Sequence, residues 1–235
     1  MSRSPELIGH RGAPRERPEN TLAAFLRALD LGADAVELDV HSTRDGVVVV
    51  HHDFVPHATS SAPSLEGRPI AELTAAELST FHVSGEPIPT LSAVLGSIGP
   101  RARIYVEIKG RGIEQAVVAT LEGVPSTTNF AVHSFDHRAV KRARAIKPAI
   151  AGGILLYSYL IDPGAALSAA GARDYWQEWS MIDADLVHAV HEANGRVVAW
   201  TVNDPDAARR LAAMGVDAIC TDVLQVIGPA LAATS

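Results

Sequence analysis

Polar side chains that could do chemistry stand at the ends of three short apolar runs in the first quarter of the chain. The first run is followed by His10 and Arg11, the second carries Glu37 and Asp39, and the third ends in two adjacent histidines. Placing such groups beside buried strands costs free energy unless opposite charges compensate them. A metal ion and a phosphate together would compensate both signs of charge. The pattern therefore predicts a site for a metal ion and a phosphate group.

Three carboxylates have the positions expected of metal ligands. Glu37 and Asp39 are two residues apart on a predicted strand, so their side chains point to the same face of the sheet. Glu107 ends a later predicted strand, and Lys109 shares its face. Carboxylate oxygens are the ligands that Mg²⁺ and Ca²⁺ prefer. The alternative is a set of salt bridges with neighbouring Arg and Lys residues, but the convergence of three carboxylates at strand ends favours the metal.

Histidines near a metal-bound phosphate could act as general base and general acid. His10 follows the first strand, whereas His51 and His52 point to opposite faces of another strand, so only one of those two can line the site. The residues alone leave open which one. Arg11 suits a phosphate oxygen because its planar guanidinium offers several donors. Trp200, near the end of a late predicted strand, either lines the pocket or fills the core.

Other polar residues are better explained by structure than by chemistry. The sequence Pro-Glu-Asn-Thr is typical of a helix start, with Asn20 or Thr21 as the cap, although Glu19 could also reach the site. The remaining histidines show no spacing that indicates a metal site. They are His57, His82, His133, His137, His188 and His191.

The elements that must position these residues are short apolar runs that alternate with amphipathic stretches almost to the end of the chain. The predicted strands are Leu7–His10, Ala35–His41, Val47–His52, Ile104–Ile108, Asn129–His133, Gly152–Leu156, the region around Trp179–Ile182, Val197–Val202 and Ala218–Thr221. The predicted helices are Thr21–Leu31, Leu91–Ile98, Ile113–Leu121, His137–Ile146, Pro163–Ala170, Ala184–Ala193, Pro205–Met214 and Val223–Ala232. This alternation predicts parallel strands joined by crossover helices, and about eight such units would close a (β/α)₈ barrel.

A weak internal repeat supports repeated strand-helix units. Leu31–Val40 resembles Met214–Val223, and in both a glycine ends a helix shortly before a strand begins. The competing arrangement is an open, doubly wound sheet. No Gly-x-Gly-x-x-Gly motif follows the first strand, which weakens the dinucleotide-binding version of that sheet and favours the barrel.

Length and composition predict one globular domain that spans residues 1–235, since the chain is 47% hydrophobic. Its net charge of −7, with no long basic run, argues against nucleic-acid binding. Cys220 is the only cysteine, so no disulfide forms within the chain. We expect no membrane span and a cytoplasmic location, because no uncharged apolar stretch approaches about 18 residues and no signal core follows Met1.

Residues 54–89 break the regular alternation. The segment is rich in Pro, Ser and Gly, and it contains one predicted helix, Thr74–Phe81, with Thr74 and Glu77 as a capping box. It is predicted to be a small insertion packed over one end of the barrel.

The ordered motifs His-Arg-Gly, Pro-Glu-Asn-Thr, Glu-Leu-Asp-Val, His-Asp, Glu-Ile-Lys and Trp-Thr-Val-Asn resemble those of the glycerophosphodiester phosphodiesterase family, over nearly the whole chain. The resemblance implies a TIM barrel with a small insertion after the second strand. It also implies hydrolysis of small glycerophosphodiesters to an alcohol and glycerol 3-phosphate with one divalent cation, Mg²⁺ or Ca²⁺, with Mn²⁺ as a further candidate.

Site residues carried over from the resemblance match those chosen above. His10 and His52 are the implied catalytic pair, so that His51 should point away. The implied metal ligands are Glu37, Asp39 and Glu107, and the implied substrate-binding residues are Arg11, Lys109 and Trp200. One histidine would deprotonate the neighbouring glycerol hydroxyl, and the other would protonate the leaving alkoxide, with a cyclic phosphate between. Which histidine acts first as base stays open.

Two other functions remain as alternatives: a related barrel phospholipase that cleaves lysophospholipids, and a non-catalytic phosphate-binding barrel. The chain also departs from the family after His-Asp, where many members continue Asp-Arg-Thr and this chain continues Phe-Val-Pro-His. That departure leaves the preferred alcohol open, and the sequence carries no signal for an oligomeric state.

Overall fold

A computed structural model describes residues 4–99, 101–123 and 130–233. The strands are β1 Glu6–Gly9, β2 Ala35–Ser42, β3 Val48–Val50, β4 Thr59–Ser60, β5 Phe81–Val83, β6 Glu86–Pro87, β7 Arg103–Ile108, β8 Phe130–Ser134, β9 Ala151–Leu156, β10 Asp174–Glu178, β11 Arg196–Trp200 and β12 Ala218–Thr221. The helices are α1 Leu22–Asp30, α2 Ala75–Leu78, α3 Leu91–Ile98, α4 Glu114–Glu122, α5 His137–Ile146, α6 Pro163–Ala170, α7 Ala184–Glu192, α8 Pro205–Met214 and α9 Leu224–Ala232.

The parallel strands close into a barrel. Hydrogen bonds connect them in the order β1, β12, β11, β10, β9, β8, β7 and β2, and the ring closes because β1 also pairs with β2. In that last pairing Ile8 lies opposite Ala35, and Gly9 lies opposite Val36. The predicted (β/α)₈ barrel is therefore confirmed, and the open sheet is wrong.

The barrel interior is filled by side chains from each of its strands. They are Ile8, Ala35, Tyr105, Ala131, Leu155, Trp176, Val198, Ala218 and Cys220. The largest of them, Trp176, meets Tyr105 edge to face with 5.0 Å between ring centroids. A second apolar layer lies between the strands and the surrounding helices. The interior is thus a packed core, and the space left for a ligand lies at the mouth of the barrel.

The internal repeat has a structural counterpart. Gly32 and Gly215 follow α1 and α8 with φ of 83° and 91°, a conformation that costs glycine little. The strands after them begin at Ala35 and Ala218. Both units therefore turn from helix to strand in the same way, as the sequence predicts.

Two predicted elements are wrong in position. The strand expected around Trp179–Ile182 is β10, which ends at Glu178, and Trp179–Met181 forms a 3₁₀ turn. Asp174 and Gln177 are buried in β10, and because they are polar, the strand has no continuous apolar run in the sequence. The helix expected over Thr74–Phe81 is only α2, although its capping box is present. The first residue of the predicted strand Asn129–His133 lies outside the described residues.

Residues 54–89 form a small layer beside the barrel mouth. Strand β3 pairs antiparallel with the end of β2, and β4, β5 and β6 form a separate three-stranded sheet. Ile70, Leu73, Leu78 and Phe81 of this layer form an apolar cluster with Val49 of β3. The division into one catalytic domain with an insertion over 54–89 stays a prediction. Among the described residues, no helix is long and apolar enough to cross a membrane.

Candidate active site

A cavity of about 240 Å³ opens at the carboxyl ends of the barrel strands. All of the predicted site residues except Asp39 line it. The lining residues are His10, Arg11, Glu37, His52, Glu107, Lys109, His133, Phe135, Leu155, Tyr157, Trp176, Trp200, Thr201 and Cys220. The cavity therefore brings together the histidines, carboxylates and cations that the sequence places at the ends of separate strands.

His10 is held by a carboxylate from the other end of the chain. Its Nδ1 lies 2.7 Å from Asp222 Oδ1. Asn203 orients that carboxylate, donating from Nδ2 to Asp222 Oδ2 at 2.7 Å and accepting the Asp222 backbone N–H at 2.9 Å. Burial alone would lower the pKa of His10, but the hydrogen bond to Asp222 and the charge of Glu37 raise it above the usual value.

Neither Asp222 nor Asn203 is among the predicted site residues, although Asn203 ends the Trp-Thr-Val-Asn motif. A signal for Asp222 was present, because the internal repeat aligns it with Asp39. The pairing of Asp222 with His10, however, depends on β12 lying next to β1, which only the closed barrel provides.

His52 has a similar carboxylate partner, while His51 does not face the cavity. The Nδ1 of His52 lies 2.7 Å from Asp53 Oδ1, and the exposed His57 Nε2 lies 3.4 Å from the other oxygen of Asp53. His51 is buried, and its Nε2 accepts the backbone N–H of His57 at 3.3 Å. Burial lowers the pKa of His51 to about 4. The placement of the two histidines agrees with the choice of His52 made from the resemblance.

Glu37, Glu107 and His133 form a group that could hold a metal ion. Each offers one ligand atom, and these atoms lie within 4.8 Å of one another. Burial and the charge of Asp39 raise the pKa of Glu107 to about 8, even though Lys109 Nζ lies 3.3 Å from its Oε1. A cation in this position would favour the ionised carboxylate that its surroundings otherwise disfavour.

Asp39 is not a member of this group, and of its two buried carboxylate oxygens only Oδ2 has a hydrogen-bond partner among the described residues. Oδ2 accepts a hydrogen bond from Asn20 Nδ2 at 2.8 Å and lies 3.2 Å from Arg11 Nε, while Oδ1 lies 3.6 Å from Lys109 Nζ. Burial alone would raise the pKa of Asp39, but the charges of Arg11 and Lys109 hold it below the usual value. In this arrangement Asp39 ties together the two cations that line the cavity.

The sequence allows either Asn20 or Thr21 as the cap of the first helix, and in the structure the two residues have different roles. Thr21 is the N-cap of α1, because its side chain accepts the backbone N–H of Ala24. Asn20, with φ of 57°, turns its amide onto Asp39 instead. Glu19 also reaches the site, where its Oε1 accepts from Arg11 Nη1 at 2.9 Å.

Arg11 is fixed at both its backbone and its side chain. Its backbone N–H donates to Glu37 Oε2 at 3.1 Å, while its guanidinium lies between Glu19 and Asp39. The charges of Asp39 and Glu19 outweigh the effect of burial and raise the pKa of Arg11. This places a permanent positive charge at the carboxyl end of β1.

One wall of the cavity is aromatic. Trp200 meets Phe135 and Tyr157 edge to face, with centroids 5.5 and 4.8 Å away, and Phe135 stacks on Tyr157 at 5.0 Å. Trp200 therefore lines the pocket, which is one of the two roles that the sequence allowed. Phe135 and Tyr157 were not anticipated, because they lie just beyond the ends of β8 and β9 and outside any motif.

His133 also lines the cavity, although the sequence gives no spacing that indicates a metal site there. Its ring is buried and stacks on Trp176 at 4.3 Å with an interplanar angle of 11°. No local spacing connects it to Glu37 or Glu107. The signal lies in the strand register, because β8 pairs with β7 so that His133 stands opposite Glu107.

A model of the glycerophosphoryl diester phosphodiesterase family matches residues 10–226. The chain belongs to this family. YhdW of Bacillus subtilis is 32% identical over 227 residues, which cover 92% of this chain and 93% of that protein. The glycerophosphodiester phosphodiesterase of Caldanaerobacter subterraneus is 30% identical over 230 residues, with 92% and 93% covered.

Among solved structures, an Oleispira antarctica phosphodiesterase in complex with the product sn-glycerol-3-phosphate is similar, with a TM-score of 0.88 and 28% identity. The match covers 97% of each chain. These likenesses confirm the predicted family and the predicted enzyme class, a phosphodiesterase.

Proposed function

We propose that this cavity hydrolyses glycerophosphodiesters to an alcohol and glycerol 3-phosphate, with one divalent cation and with His10 and His52 as the proton-transferring residues. The observation that carries the proposal is the pair of imidazoles at one cavity, each bonded through Nδ1 to a carboxylate. The group of possible cation ligands lines the same cavity. The Oleispira enzyme, which was solved with glycerol 3-phosphate bound, supports the product.

The side chains present fit a divalent cation. Glu37 and Glu107 would hold it, and Asp39 stays the third predicted ligand. Two buried carboxylates near a third are unfavourable without added positive charge, as the raised pKa of Glu107 indicates. When bound, the cation would neutralise charge on the phosphodiester and fix its orientation.

The two histidines would move the protons. Each carboxylate partner favours the tautomer with hydrogen on Nδ1, which leaves Nε2 to exchange a proton with the substrate. One imidazole would take the proton of the glycerol hydroxyl next to the phosphodiester while that oxygen attacks phosphorus. The other would protonate the departing alkoxide, giving a cyclic phosphate. Water would then open the ring, with the two imidazoles in exchanged roles.

Arg11 and Lys109 would offset the charge that develops on the phosphorane oxygens. Their shared partner Asp39 keeps both cations at fixed positions, so little reorganisation is needed during the reaction. The aromatic wall around Trp200 would pack on the carbon atoms of the glycerol and exclude water from that side.

A second candidate substrate is a lysophospholipid. Tyr157, which is part of the aromatic wall, is 65% exposed, and Ile161 in the same loop between β9 and α6 is fully exposed. Such residues could accept an acyl chain. If so, choline release from lysophosphatidylcholine should exceed that from glycerophosphocholine, and Ile161→Ser should reduce only the former.

The proposed function is tested by release of glycerol 3-phosphate from glycerophosphocholine and glycerophosphoethanolamine, with EDTA, Mg²⁺, Ca²⁺ or Mn²⁺. We expect turnover with a cation only, and a loss of about 10²–10⁴-fold in kcat for His10→Ala and for His52→Ala. His188→Ala is the matched control, because His188 is exposed on α7 and forms an ion pair with Glu192 of the same helix. Equal activity of the His10 and His188 variants, or full activity in EDTA, would overturn the proposal.

A further inference from the structure

The buried imidazole of His133 has no role in the proton transfers described above. Its Nε2 lies 3.6 Å from Glu37 Oε1, which is too long for a hydrogen bond. Its Nδ1 is buried without a hydrogen-bond partner among the described residues. Buried polar groups are rarely left unpaired, so an imidazole in this state needs an explanation.

Its surroundings hold His133 rigidly beside the two glutamates. The ring stacks on Trp176 at 4.3 Å, and the backbone of His133 is paired with that of Glu107 across adjacent strands. Glu37 lies on β2, the other neighbour of β7. The adjacent strands β2, β7 and β8 thus carry Glu37, Glu107 and His133, whose ligand atoms lie within 4.8 Å of one another.

The chemistry of these three donors differs from that of an all-oxygen site. Mg²⁺ and Ca²⁺ prefer oxygen ligands, whereas imidazole nitrogen suits first-row transition metals. One nitrogen among the ligands should therefore shift the preference toward a transition-metal ion. Asp39 contributes no ligand atom to this group of three donors.

We propose that His133 is a ligand of the cation, together with Glu37 and Glu107, and that the site consequently binds Mn²⁺ more tightly than Mg²⁺ or Ca²⁺. This inference rests on the proposed function for the presence of a cation. Beyond the proposed function, it names a nitrogen ligand and the class of metal.

The direct test is pulsed electron paramagnetic resonance of Mn²⁺ bound to the full chain. Electron spin echo modulation from a directly coordinated ¹⁴N is expected in the wild type and in His188→Gln, and it should vanish in His133→Gln. Absence of nitrogen modulation in the wild type would overturn the proposal without any variant, so a failure of His133→Gln to fold does not protect it.

Titration calorimetry of the metal-free protein supplies the second readout. We expect Mn²⁺ to bind at least about tenfold tighter than Mg²⁺, since imidazole adds affinity for the transition metal. His133→Gln should lose about tenfold or more of the Mn²⁺ affinity, while its Mg²⁺ affinity changes by less than about threefold. Equal losses for both ions, or no loss for either, would count against a nitrogen ligand.

These readouts separate this inference from the proposed function. Cation-dependent hydrolysis without nitrogen coordination would overturn the role of His133 and leave the diesterase intact. Nitrogen coordination in a protein that hydrolyses no glycerophosphodiester would support His133 as a ligand and overturn the diesterase.

Discussion

At the residue scale, each proposed catalytic histidine depends on a carboxylate that holds one of its nitrogens. Asp222 reaches His10 from the end of β12, and Asn203 fixes Asp222 from beyond the end of β11. Asp53 holds His52 from the next position in the chain. In both pairs the carboxylate contacts Nδ1 of the imidazole. This similarity fits a reaction in which the two histidines exchange the roles of acid and base between formation and opening of the cyclic phosphate.

Asp222→Asn is expected to lower the pKa of His10 and to slow the reaction. The hydrogen bond to the Asp222 carboxylate helps to raise this pKa, and an amide carries no charge to stabilise the imidazolium. The limb of the pH profile of kcat that depends on protonated His10 should move to lower pH, and kcat should fall by more than about tenfold. NMR titration of His10 and a pH profile of kcat provide the measurement.

The control for that substitution is Asp185→Asn, on the exposed part of the first turn of α7. It should leave both the His10 titration and kcat unchanged within about twofold. An Asp222→Asn enzyme whose His10 titrates as in the wild type would show that Asp222 does not set the protonation of His10.

At this scale the sequence could predict residues that lie within local motifs but not those joined only by strand register. His10 and Arg11 were identifiable because they follow an apolar run, and Glu37 because it shares one face of a strand with Asp39. Asp222 and His133 were missed, since their partners lie on strands that are adjacent only in the closed barrel. A non-local pairing of this kind leaves no periodicity in the sequence.

At the element scale, the helices around the barrel were predicted closely because their ends carry strong local signals. Asp162 caps α6 and Asp204 caps α8, and each of these helices begins with proline. Strand β10 was misplaced because buried Asp174 and Gln177 interrupt its apolar pattern. The buried Asp174 carboxylate accepts two hydrogen bonds of 2.7 Å from the Arg173 guanidinium. A hydrophobicity pattern cannot predict such a pairing.

His51, just after β3, should make the fold sensitive to acid. Its pKa is about 4 in the folded protein because it is buried, against 6.5 for the free side chain. Between these values the unfolded chain binds more protons than the folded one, so the free energy of unfolding rises with pH across this window and falls on acidification. Acidifying from about pH 7.5 to about pH 5 should cost about 2 kcal/mol through this residue.

Urea unfolding of the wild type and of His51→Gln at the two pH values isolates this contribution. The variant should lose about 2 kcal/mol less than the wild type on acidification, while His188→Gln, on the exposed face of α7, should lose as much as the wild type. Parallel losses in all three proteins would mean that His51 does not set the acid sensitivity.

At the scale of the whole molecule, the two ends of the barrel have different chemistry. The carboxyl ends of the strands form the cavity, while a network of charges closes the opposite end. Glu6 begins β1 and contacts Arg103 at 2.9 Å and Arg196 at 2.8 Å, which begin β7 and β11. Tyr105 donates its hydroxyl to Glu6 Oε2 at 2.8 Å and accepts from Arg196 at 3.2 Å. The network joins strands from both halves of the chain, so we expect it to support the closed barrel without entering the chemistry.

Tyr105→Phe should therefore reduce stability and leave catalysis unchanged. The ring would keep its contact with Trp176, but the hydrogen bond to the Glu6 carboxylate would be lost at a cost of about 1.5–3 kcal/mol in the free energy of unfolding. Tyr159→Phe is the matched control, because the Tyr159 hydroxyl donates to Asp183 at the exposed surface, where the loss should stay within about 0.5 kcal/mol. Unfolding in urea gives the stabilities, and kcat at saturating substrate should remain within about twofold of the wild type for both variants. If Tyr105→Phe lowered kcat as strongly as it lowered stability, the two ends of the barrel would be coupled, and the separation of a structural end from a reactive end would be wrong.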